Sequence, residues 1–476
     1  MITFLISLAI LIGGYFIYGA VLERVFGTDP SRETPVKRLK DGVDYVELPL
    51  WRIFLIQFLN IAGLGPIFGA VAGAMWGPVA FLWIVFGCIF GGMVHDYIAG
   101  MLSMRHDGKS IPEIVGQYLG VGTKQFMRGF TVLLMIVVGA VFVKGPAGIL
   151  NNISNDEMGI TFWMAAVFIY YILATMLPID KLIGNIYPIF GFALLFMAVG
   201  ILGGIFAGGY TLPEFSMSSF TNSHSNPDSF PIFPMMFVSI ACGAISGFHS
   251  TQSPLMARCI KNEKHGKRIF AGAMVAEGIV ALIWAAAAMA FFGGVEQLNG
   301  EMAAHKNDAA WAVNHISNTL LGSTGAVLAL LGVVAAPITS GDTAFRSARL
   351  IVADFLNYNQ KPIKNRLFVT IPLFIAGFIL VQLDFGIIWR YMSWANQSLA
   401  MIVLWTITVY LAMEKKFYWI TLVPAILMTA VCISYILTAP EGFSISSYIG
   451  NAVGVGAAVL VVIVFMVWKY RKMESR

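Results

Sequence analysis

The sequence predicts an all-α membrane protein that forms a single transmembrane domain and crosses the bilayer about thirteen times. Of its 476 residues, 58% are hydrophobic and 12% are charged, and the mean hydropathy is +0.78. Soluble domains carry about 25% charged residues, so a chain this apolar requires lipid as its solvent. The placement of the basic residues and a pair of interrupted apolar runs then predict how the helices are arranged.

Apolar runs of about 20 residues or more are long enough to cross the hydrocarbon core of a bilayer. The chain contains thirteen such runs, and the first is long for a signal-peptide core and lacks a preceding basic segment. We therefore predict spanning helices at about residues 2–22, 50–75, 77–104, 125–148, 160–178, 185–207, 232–257, 268–292, 321–345, 366–382, 384–412, 416–437 and 445–468.

The basic residues predict how these helices are oriented. Almost all of the 30 Lys and Arg residues fall on alternate connections, and the intervening connections hold only Lys306. Lys144 and Arg390 lie within predicted helices. Because cytoplasmic connections are enriched in Lys and Arg, we expect the N-terminus outside and the C-terminus in the cytoplasm.

Interrupted apolar runs predict an inverted repeat. Five runs span residues 50–207 and five more span 232–412, and the first run of each set is broken. Residues 60–72 have the sequence N-I-A-G-L-G-P-I-F-G-A-V-A, and residues 243–254 have the sequence G-A-I-S-G-F-H-S-T-Q-S-P. Because five is odd, the two halves enter the membrane from opposite sides, which is typical of transporters with a central binding site. Residues 413–476 then form two accessory helices, and the first run is a third.

The two interruptions supply the candidate substrate site. A helix break at membrane depth frees N–H and C=O groups for a ligand, and free N–H groups at a helix N-terminus suit a carboxylate. The alternative is a kink for close packing, with polar side chains that bond to their own helix. Lys144 is a further candidate, because it could attract an anion, although it could equally snorkel to the interface. The candidates in the breaks are Asn60, Gly63, Gly65, Ser246, His249, Ser250, Thr251 and Gln252.

Candidate cation-coupling residues lie on later helices. The run A-A-P-I-T-S-G-D-T places Ala336, Thr339 and Ser340 around a proline, where hydroxyls could complete an oxygen cage for a small cation or bond back to the helix. Glu277 and Asp342 are ionisable residues within or beside predicted spans, which makes them candidate proton carriers. Both a proton and a sodium ion, the latter at Thr339 and Ser340, are therefore possible coupling ions.

Four charged residues near the ends of predicted helices could form gates: His95 and Asp96 toward the inside, and Asp384 and Arg390 toward the outside. Two long outside connections could act as lids or be ordinary loops, and the second, at 293–319, contains a short amphipathic helix. The cysteines lack metal-ligand spacing, so we interpret them as reduced packing residues. They are Cys88, Cys242, Cys259 and Cys432.

Catalytic and nucleotide-binding motifs are absent from the sequence, which has no phosphate-binding loop and no H-E-x-x-H. We therefore expect no enzyme activity, no organic cofactor and no nucleic-acid partner. The expected partners are a small-molecule substrate and the lipid bilayer, and the oligomeric state stays open.

Three runs of the sequence resemble the signature regions of the carbon starvation protein A (CstA) family. They are G-L-G-P-I-F-G-A-V-A-G-A-M-W-G-P, H-D-Y-I-A-G-M-L-S-M-R-H-D-G-K-S-I-P-E-I and S-G-F-H-S-T-Q-S-P. The resemblance covers most of the chain. It implies a secondary transporter of the bacterial inner membrane that belongs to the amino acid–polyamine–organocation superfamily and has the LeuT-type fold of five plus five inverted helices. Family members are associated with proton-coupled uptake of pyruvate and with uptake of peptides during carbon limitation.

The resemblance also bears on the coupling ion. In sodium-coupled members of the LeuT-type fold, an A-x-x-T-S run on the eighth core helix helps form a sodium site. Ala336, Thr339 and Ser340 match that run.

Together these observations predict a cation-coupled importer of a small carboxylate, pyruvate first, that works by alternating access. A small-peptide importer is the alternative, although Glu277 is the one obvious mid-depth carboxylate for a peptide amino terminus. A membrane nutrient sensor is an alternative of another class, but it would predict a substantial cytosolic domain. A channel would favour a continuous polar path over broken helices.

Overall fold

Helices make up most of the chain in the computed structural model, which describes residues 1–42, 44–154, 157–176, 179–360 and 362–474. No β-strand occurs in these ranges. Buried apolar side chains from Phe4 to Phe465 form one continuous core. The all-α prediction is therefore confirmed.

The helices of the first part of the chain follow the predicted apolar runs, with one short amphipathic helix, α5, between two of them. They are α1 (Ile2–Phe26), α2 (Leu50–Ile61), α3 (Gly65–Trp76), α4 (Val79–Arg105), α5 (Ile111–Leu119), α6 (Val121–Ile153), α7 (Ile160–Met176) and α8 (Ile179–Ala207).

The later helices include the short amphipathic helix predicted within 293–319, here α12, and a helix, α13, interrupted at Gly322. They are α9 (Ala241–Ala244), α10 (Gly247–Ala257), α11 (Glu263–Phe291), α12 (Val295–Ala304), α13 (Ala309–Ala329), α14 (Ala335–Leu356), α15 (Ile363–Val381), α16 (Phe385–Met413), α17 (Trp419–Thr438) and α18 (Ser447–Glu474).

Nine helices in the described ranges are long and apolar enough to cross a membrane, and the bent pair α2–α3 makes a tenth. The predicted run 160–178 corresponds to the shorter helix α7, and the run 232–257 is divided among short helices. Multiple membrane crossings are thus confirmed. The count of thirteen and the repeat boundaries stay predictions, because length alone does not identify a broken helix as a span.

Connections between the helices gather at two faces of the molecule. At one, which we call the N-terminal face, the amino group of Met1 pairs with Glu214. At the other, the C-terminal face, Arg105 donates to the carbonyl of Gly27 at 2.6 Å. The faces lie at opposite ends of α1, whose 25 residues span about 38 Å at about 1.5 Å per residue.

Both predicted helix breaks are present. The axes of α2 and α3 differ by 56° across Ala62–Leu64, where Pro66 has no N–H to continue the hydrogen-bond ladder of α2. Between α9 and α10 the backbone is extended at Ile245 and Ser246, with φ values of −161° and −143°. Each break therefore interrupts a predicted run of spanning length, and we call the helices on its two sides half-helices.

One prediction about a connection is wrong. The basic residues after the predicted run 321–345 were expected on a cytoplasmic connection, but α14 continues to Leu356 and buries Arg346 and Arg349. The guanidinium of Arg346 donates to the carbonyl of Ala174 at 2.9 Å, and that of Arg349 donates to Gln360 at 2.9 Å. Buried charges are tolerated where such partners exist.

Candidate functional site

The two broken helices touch at the centre of the molecule. A Cβ added at Gly65, the first residue of α3, would lie 2.2 Å from the sulfur of Cys242 in α9. A Cβ at Gly69 would lie 2.7 Å from the carbonyl oxygen of Ser239. Only glycine permits this approach. The backbone of α3 at these two glycines therefore packs directly against Cys242 of α9 and against the chain just before α9.

Polar atoms without protein partners lie at both breaks. The side-chain amide of Asn60 and the hydroxyl of Ser246 are fully buried and have no hydrogen-bond partner among the described residues. The amide of Gln57, one turn before Asn60 on α2, is in the same situation. Buried polar groups are normally hydrogen-bonded, so these three are candidates for contact with a ligand at the breaks. Gln57 was not predicted, although an amide within an apolar run was a usable signal.

Hydroxyls elsewhere in the second break bond to their own helix, as the alternative interpretation expected. Ser250 donates to the carbonyl of Gly247 at 2.7 Å, and Thr251 donates to that of Phe248 at 2.7 Å. The amide nitrogen of Gln252 donates to the Thr251 hydroxyl at 2.8 Å. The buried amide oxygen of Gln252 has no hydrogen-bond partner in the described chain. Ser250 is therefore satisfied by α10, in contrast to Ser246.

The predicted cation residues lie beside the first break. The Ser340 hydroxyl lies 3.0 Å from two carbonyl oxygens that it can donate to, that of Leu59 on α2 and that of Ala336 on α14. The Thr339 hydroxyl also donates to the carbonyl of Ala336, at 2.7 Å. A Cβ at Gly63 would lie 3.3 Å from the Ser340 hydroxyl. Oxygen atoms from α2 and α14 thus converge on one point. The contacts with Ala336 are also hydrogen bonds back to the same helix. The geometry therefore agrees both with an oxygen cage for a cation and with hydroxyls that bond to their own helix.

Four fully buried titratable residues form a chain next to the second break. His95 Nδ1 lies 2.7 Å from Asp96 Oδ1, and Asp96 Oδ2 lies 2.8 Å from His249 Nδ1. His249 Nε2 lies 3.2 Å from Glu277 Oε2. The structure thus unites Glu277 and His249 as candidates. It places His95 and Asp96, predicted as a gate, within the central site, because α4 packs directly against α10.

Asp342 lies apart from this chain of residues. Its carboxylate accepts a hydrogen bond of 2.6 Å from the hydroxyl of the buried Tyr187 on α8, and Arg346 follows one turn later on α14. The second oxygen of Asp342 has no hydrogen-bond partner in the part of the chain that the structure describes. Tyr187 was not predicted, because its sequence position gives no indication that α8 reaches α14.

Lys144, predicted as a candidate substrate residue, caps a helix. Its ammonium donates to the carbonyls of Leu383 at 2.5 Å and Val381 at 3.3 Å, the last carbonyls of α15 and its connection. Cations are favourable at helix C-termini. Its side chain lines a cavity of about 530 Å³ toward the N-terminal face, which is also lined by Phe68 of α3 and by Ser239, just before α9.

The predicted gate residues Asp384 and Arg390 line the same cavity, but each has another partner. Asp384 caps α16 by accepting from the N–H of Ile387 at 3.2 Å. Arg390 pairs with Glu441 at 3.3 Å. Asp384 thus forms a helix cap and Arg390 an ion pair to the connection after α17, and their role in a gate stays a prediction.

Solved structures with a similar fold are membrane transporters. The manganese transporter of Eremococcus coleocola aligns with a TM-score of 0.52 at 14% identity, covering 92% of this chain and 99% of that chain. MhsT in complex with L-phenylalanine aligns with a TM-score of 0.54 at 14% identity, covering 86% of this chain and 97% of that chain. These similarities show a LeuT-type transporter fold.

Relatives at the sequence level are membrane proteins. An uncharacterised membrane protein of Haemophilus influenzae is 41% identical over 351 residues, covering 64% of this chain and 95% of that protein. The peptide transporter CstA of Bacillus subtilis is 25% identical over 522 residues, covering 88% and 87%. The pyruvate/proton symporter BtsT of Escherichia coli is 26% identical over 325 residues, covering 55% and 45%.

The model of the family described as carbon starvation protein CstA matches residues 1–158 and 151–386. This family and the structural neighbours are transporters rather than enzymes. The matched regions include both helix breaks and the buried residues between them. The chain therefore belongs to the carbon starvation protein CstA family.

Proposed function

We propose that this chain is a secondary active transporter of the amino acid–polyamine–organocation superfamily. It imports a small carboxylate, pyruvate first, together with a cation by alternating access in response to carbon starvation. The contact between two broken helices, with unpartnered buried polar atoms at both breaks, carries this proposal. Helix breaks that meet at mid-membrane form the substrate sites of many secondary transporters. The similarity to a pyruvate/proton symporter supports pyruvate as the substrate.

The substrate carboxylate binds at the start of α10. The first turn of an α-helix has N–H groups without intrahelical acceptors and a positive dipole end. The extended backbone at Ser246 places its unpartnered hydroxyl at that end of α10. Asn60 on α2 then donates to the keto oxygen, with Gln57 behind it.

The coupling cation binds either at the oxygen cluster or as a proton. Ser340 joins α14 to the carbonyl of Leu59 at the end of α2, so a sodium ion there would hold the first break in its substrate-binding form. Oxygen ligands suit hard cations. Glu277, which is buried beside His249, and Asp342 are the proton alternatives.

The proposed topology follows from the two faces. The N-terminal face is outside the bacterial inner membrane, and the C-terminal face, which carries most of the basic connections, is in the cytoplasm. Residues 50–207 and 232–412 are the two inverted repeats, and residues 413–476 are accessory. The positions of the breaks, early in each proposed repeat, support this division.

Uptake of labelled pyruvate into proteoliposomes tests the proposal, with a proton gradient and a sodium gradient imposed separately. If sodium couples, we expect Thr339→Ala to lower sodium-driven uptake at least about tenfold, because the loss of about 1.4 kcal/mol of binding free energy is tenfold in affinity. Thr343→Ala is the matched control. Its hydroxyl also lies on α14 but donates to the carbonyls of Thr339 and Ser340 at 3.2 and 3.0 Å.

Glu277→Gln distinguishes the proton alternative. Proton-driven uptake that survives Thr339→Ala but is lost in Glu277→Gln would assign coupling to the carboxylate. If pyruvate enters under neither gradient, the carboxylate proposal is rejected.

Two observations favour a small-peptide importer as the second candidate. Asp96 is a second buried carboxylate near the second break, on the other side of His249 from Glu277, so the expectation of a single mid-depth carboxylate is wrong. The cavity of about 530 Å³ at the N-terminal face is also large for pyruvate. Competition by an unlabelled dipeptide decides between the candidates. Inhibition of pyruvate uptake by Ala-Ala would favour the peptide, and unchanged uptake would favour the carboxylate.

A further inference from the structure

We propose that Cys242, His249 and Glu277 form a binding site for a thiophilic divalent metal ion of the Zn²⁺ class, at the junction of the two broken helices. One ligand atom from each residue lies within 4.8 Å of the others, and all three side chains are buried. The residues come from α9, α10 and α11. This role would add to the packing role that the sequence predicts for Cys242.

The second break brings Cys242 and His249 together. Their separation of seven residues matches no metal motif, but the extended backbone at Ile245 and Ser246 turns the chain between α9 and α10. On the other side, Gly65 of α3 leaves just enough room for the sulfur, since a Cβ there would lie 2.2 Å from it. The thiol is thus held at the centre of the molecule by both broken helices.

Neighbouring residues orient the imidazole as metal sites require. Asp96 Oδ2 lies 2.8 Å from His249 Nδ1, and His95 holds the other oxygen of Asp96 at 2.7 Å. A carboxylate that accepts from one imidazole nitrogen fixes the tautomer that leaves the other nitrogen free for a metal. In His249 the free nitrogen is Nε2, which is the one that lies toward Glu277.

Several ligand atoms have no partner within the described residues apart from one another. His249 Nε2 and both carboxylate oxygens of Glu277 are buried and make no hydrogen bond there. The distance of 3.2 Å between Nε2 and Oε2 is an ion pair only if His249 carries a second proton. With neutral His249, a metal ion supplies the positive charge that a buried carboxylate requires.

The donor set decides which ions fit. A thiolate, a neutral imidazole and a carboxylate are typical ligands of Zn²⁺, whereas Na⁺, Mg²⁺ and Ca²⁺ prefer oxygen ligands alone. The thiolate and the carboxylate together balance the two charges of the ion, which favours binding away from water. Three protein ligands leave a fourth tetrahedral position for water or a substrate carboxylate.

The site has a consequence for transport that rests on the proposed function. A metal ion would occupy His249 and Glu277 and join α9–α10 to α11 beside α3. Bound Zn²⁺ would therefore inhibit uptake. Metal binding itself is measured without transport, so the two proposals fail separately.

Cobalt absorption tests the site directly in the purified, reduced full-length chain after removal of metal with a chelator. Thiolate-bound Co²⁺ gives a charge-transfer band in the near ultraviolet, and tetrahedral Co²⁺ gives intense visible bands. We expect both, with one Co²⁺ per chain and displacement by Zn²⁺. Cys242→Ser should remove the thiolate band. Cys432→Ser, which replaces another buried free thiol on α17, should keep it.

Two further variants keep the test decisive if Cys242→Ser does not fold. Glu277→Gln removes a ligand but keeps the side-chain volume, and it should weaken Co²⁺ binding at least about tenfold. Asp96→Asn should weaken binding ~10–100-fold while the thiolate band remains, because it alters only the orientation of His249. A wild-type chain without a thiolate band, the same band in Cys242→Ser, or unchanged affinity in Glu277→Gln would overturn the proposal.

Discussion

Gly65 is the residue at which the two broken helices approach each other most closely. We predict that Gly65→Ala lowers the Tm of the detergent-purified protein, because its Cβ would lie 2.2 Å from the sulfur of Cys242. Overpacking of this kind costs about 1–3 kcal/mol, and here it also separates α3 from α9. Thermal unfolding followed by intrinsic fluorescence measures the shift.

Gly129→Ala is the matched control for this substitution. Gly129 lies in α6, where an added Cβ would have nothing within 4 Å. Alanine is favoured over glycine in a helix by about 1 kcal/mol, so this variant should have an unchanged or higher Tm. A Gly65→Ala protein as stable as the Gly129→Ala protein would contradict the close contact.

Residue identity alone predicted part of the central site. Asn60, His249 and Glu277 are polar in apolar surroundings, which is visible in the sequence, and the structure places them at or beside the breaks. Lys144 shows the limit. The carbonyls that it caps belong to residues 381 and 383 on a distant segment, so the sequence around Lys144 gives no signal for this contact, and its role toward an anion stays a prediction.

At the scale of elements, the connection 211–230 packs on the end of α3. The ring of His224 lies 4.7 Å from that of Trp76 and 4.6 Å from that of Phe230, measured between centroids. Trp76 donates to the carbonyl of Phe230 at 3.0 Å, and His224 Nδ1 accepts from the N–H of Asn226 at 3.1 Å. Burial lowers the pKa of His224 to about 4. The connection is thus stabilised by a neutral histidine.

We predict that acid opens this connection. In the open form the pKa of His224 returns to about 6.5. Between pH ~4 and pH ~6.5 the open form therefore binds more protons than the closed form. The stability of the closed form is therefore complete above pH ~6.5 and is lost as the pH falls toward 4. Hydrogen exchange in residues 211–230, corrected for the intrinsic pH dependence, should be faster at pH 5 than at pH 7.

His224→Phe is the control for the acid-induced opening. Phenylalanine preserves stacking on Trp76 and Phe230 but does not titrate, so the corrected exchange rates at pH 5 and pH 7 should agree. The same acceleration in His224→Phe would assign the effect to another group.

Element boundaries could be predicted where the backbone itself gives the signal. Gly63, Gly65 and Pro66 indicated the first break, and the structure has it at that point. The end of α14 could not be predicted from charge. Two arginines so close together, Arg346 and Arg349, are typical of a solvated connection rather than of a buried helix. Their partners at Ala174 and Gln360 become visible only when α14 is packed.

At the scale of the whole molecule, apolar runs and the alternation of basic connections predicted a multi-helix membrane fold. The structure confirms its all-α, multi-spanning character because both signals depend on the solvent rather than on specific packing. Side-chain partners between distant helices depend on packing, and these are what the sequence did not predict. Tyr187 with Asp342 and Cys242 with Glu277 are examples.

The C-terminal face is closed by a network that joins three segments. Arg105 at the end of α4 donates two hydrogen bonds of 3.0 Å to the carboxylate of Glu263 at the start of α11, and one of 2.6 Å to Gly27 after α1. The guanidinium also lies 4.0 Å from the ring centroid of Phe26. A bidentate pair of this kind is both strong and directional. The proposed alternating-access cycle requires this network to break when the C-terminal face opens.

We therefore predict that Glu263→Gln shifts the molecule toward opening at the C-terminal face. Loss of a hydrogen bond to a charged group costs about 1.5–3 kcal/mol, so maleimide labelling of the buried Cys259, four residues earlier, should be at least about tenfold faster. Cys432 on α17, within the proposed accessory segment, is the internal reference, and peptide mass spectrometry measures both rates. Equal acceleration at both cysteines would indicate general loosening, and no change at Cys259 would show that the network does not control this face. Selective acceleration at Cys259 would support a gate at this face, which the proposed transport cycle must open to release substrate into the cytoplasm.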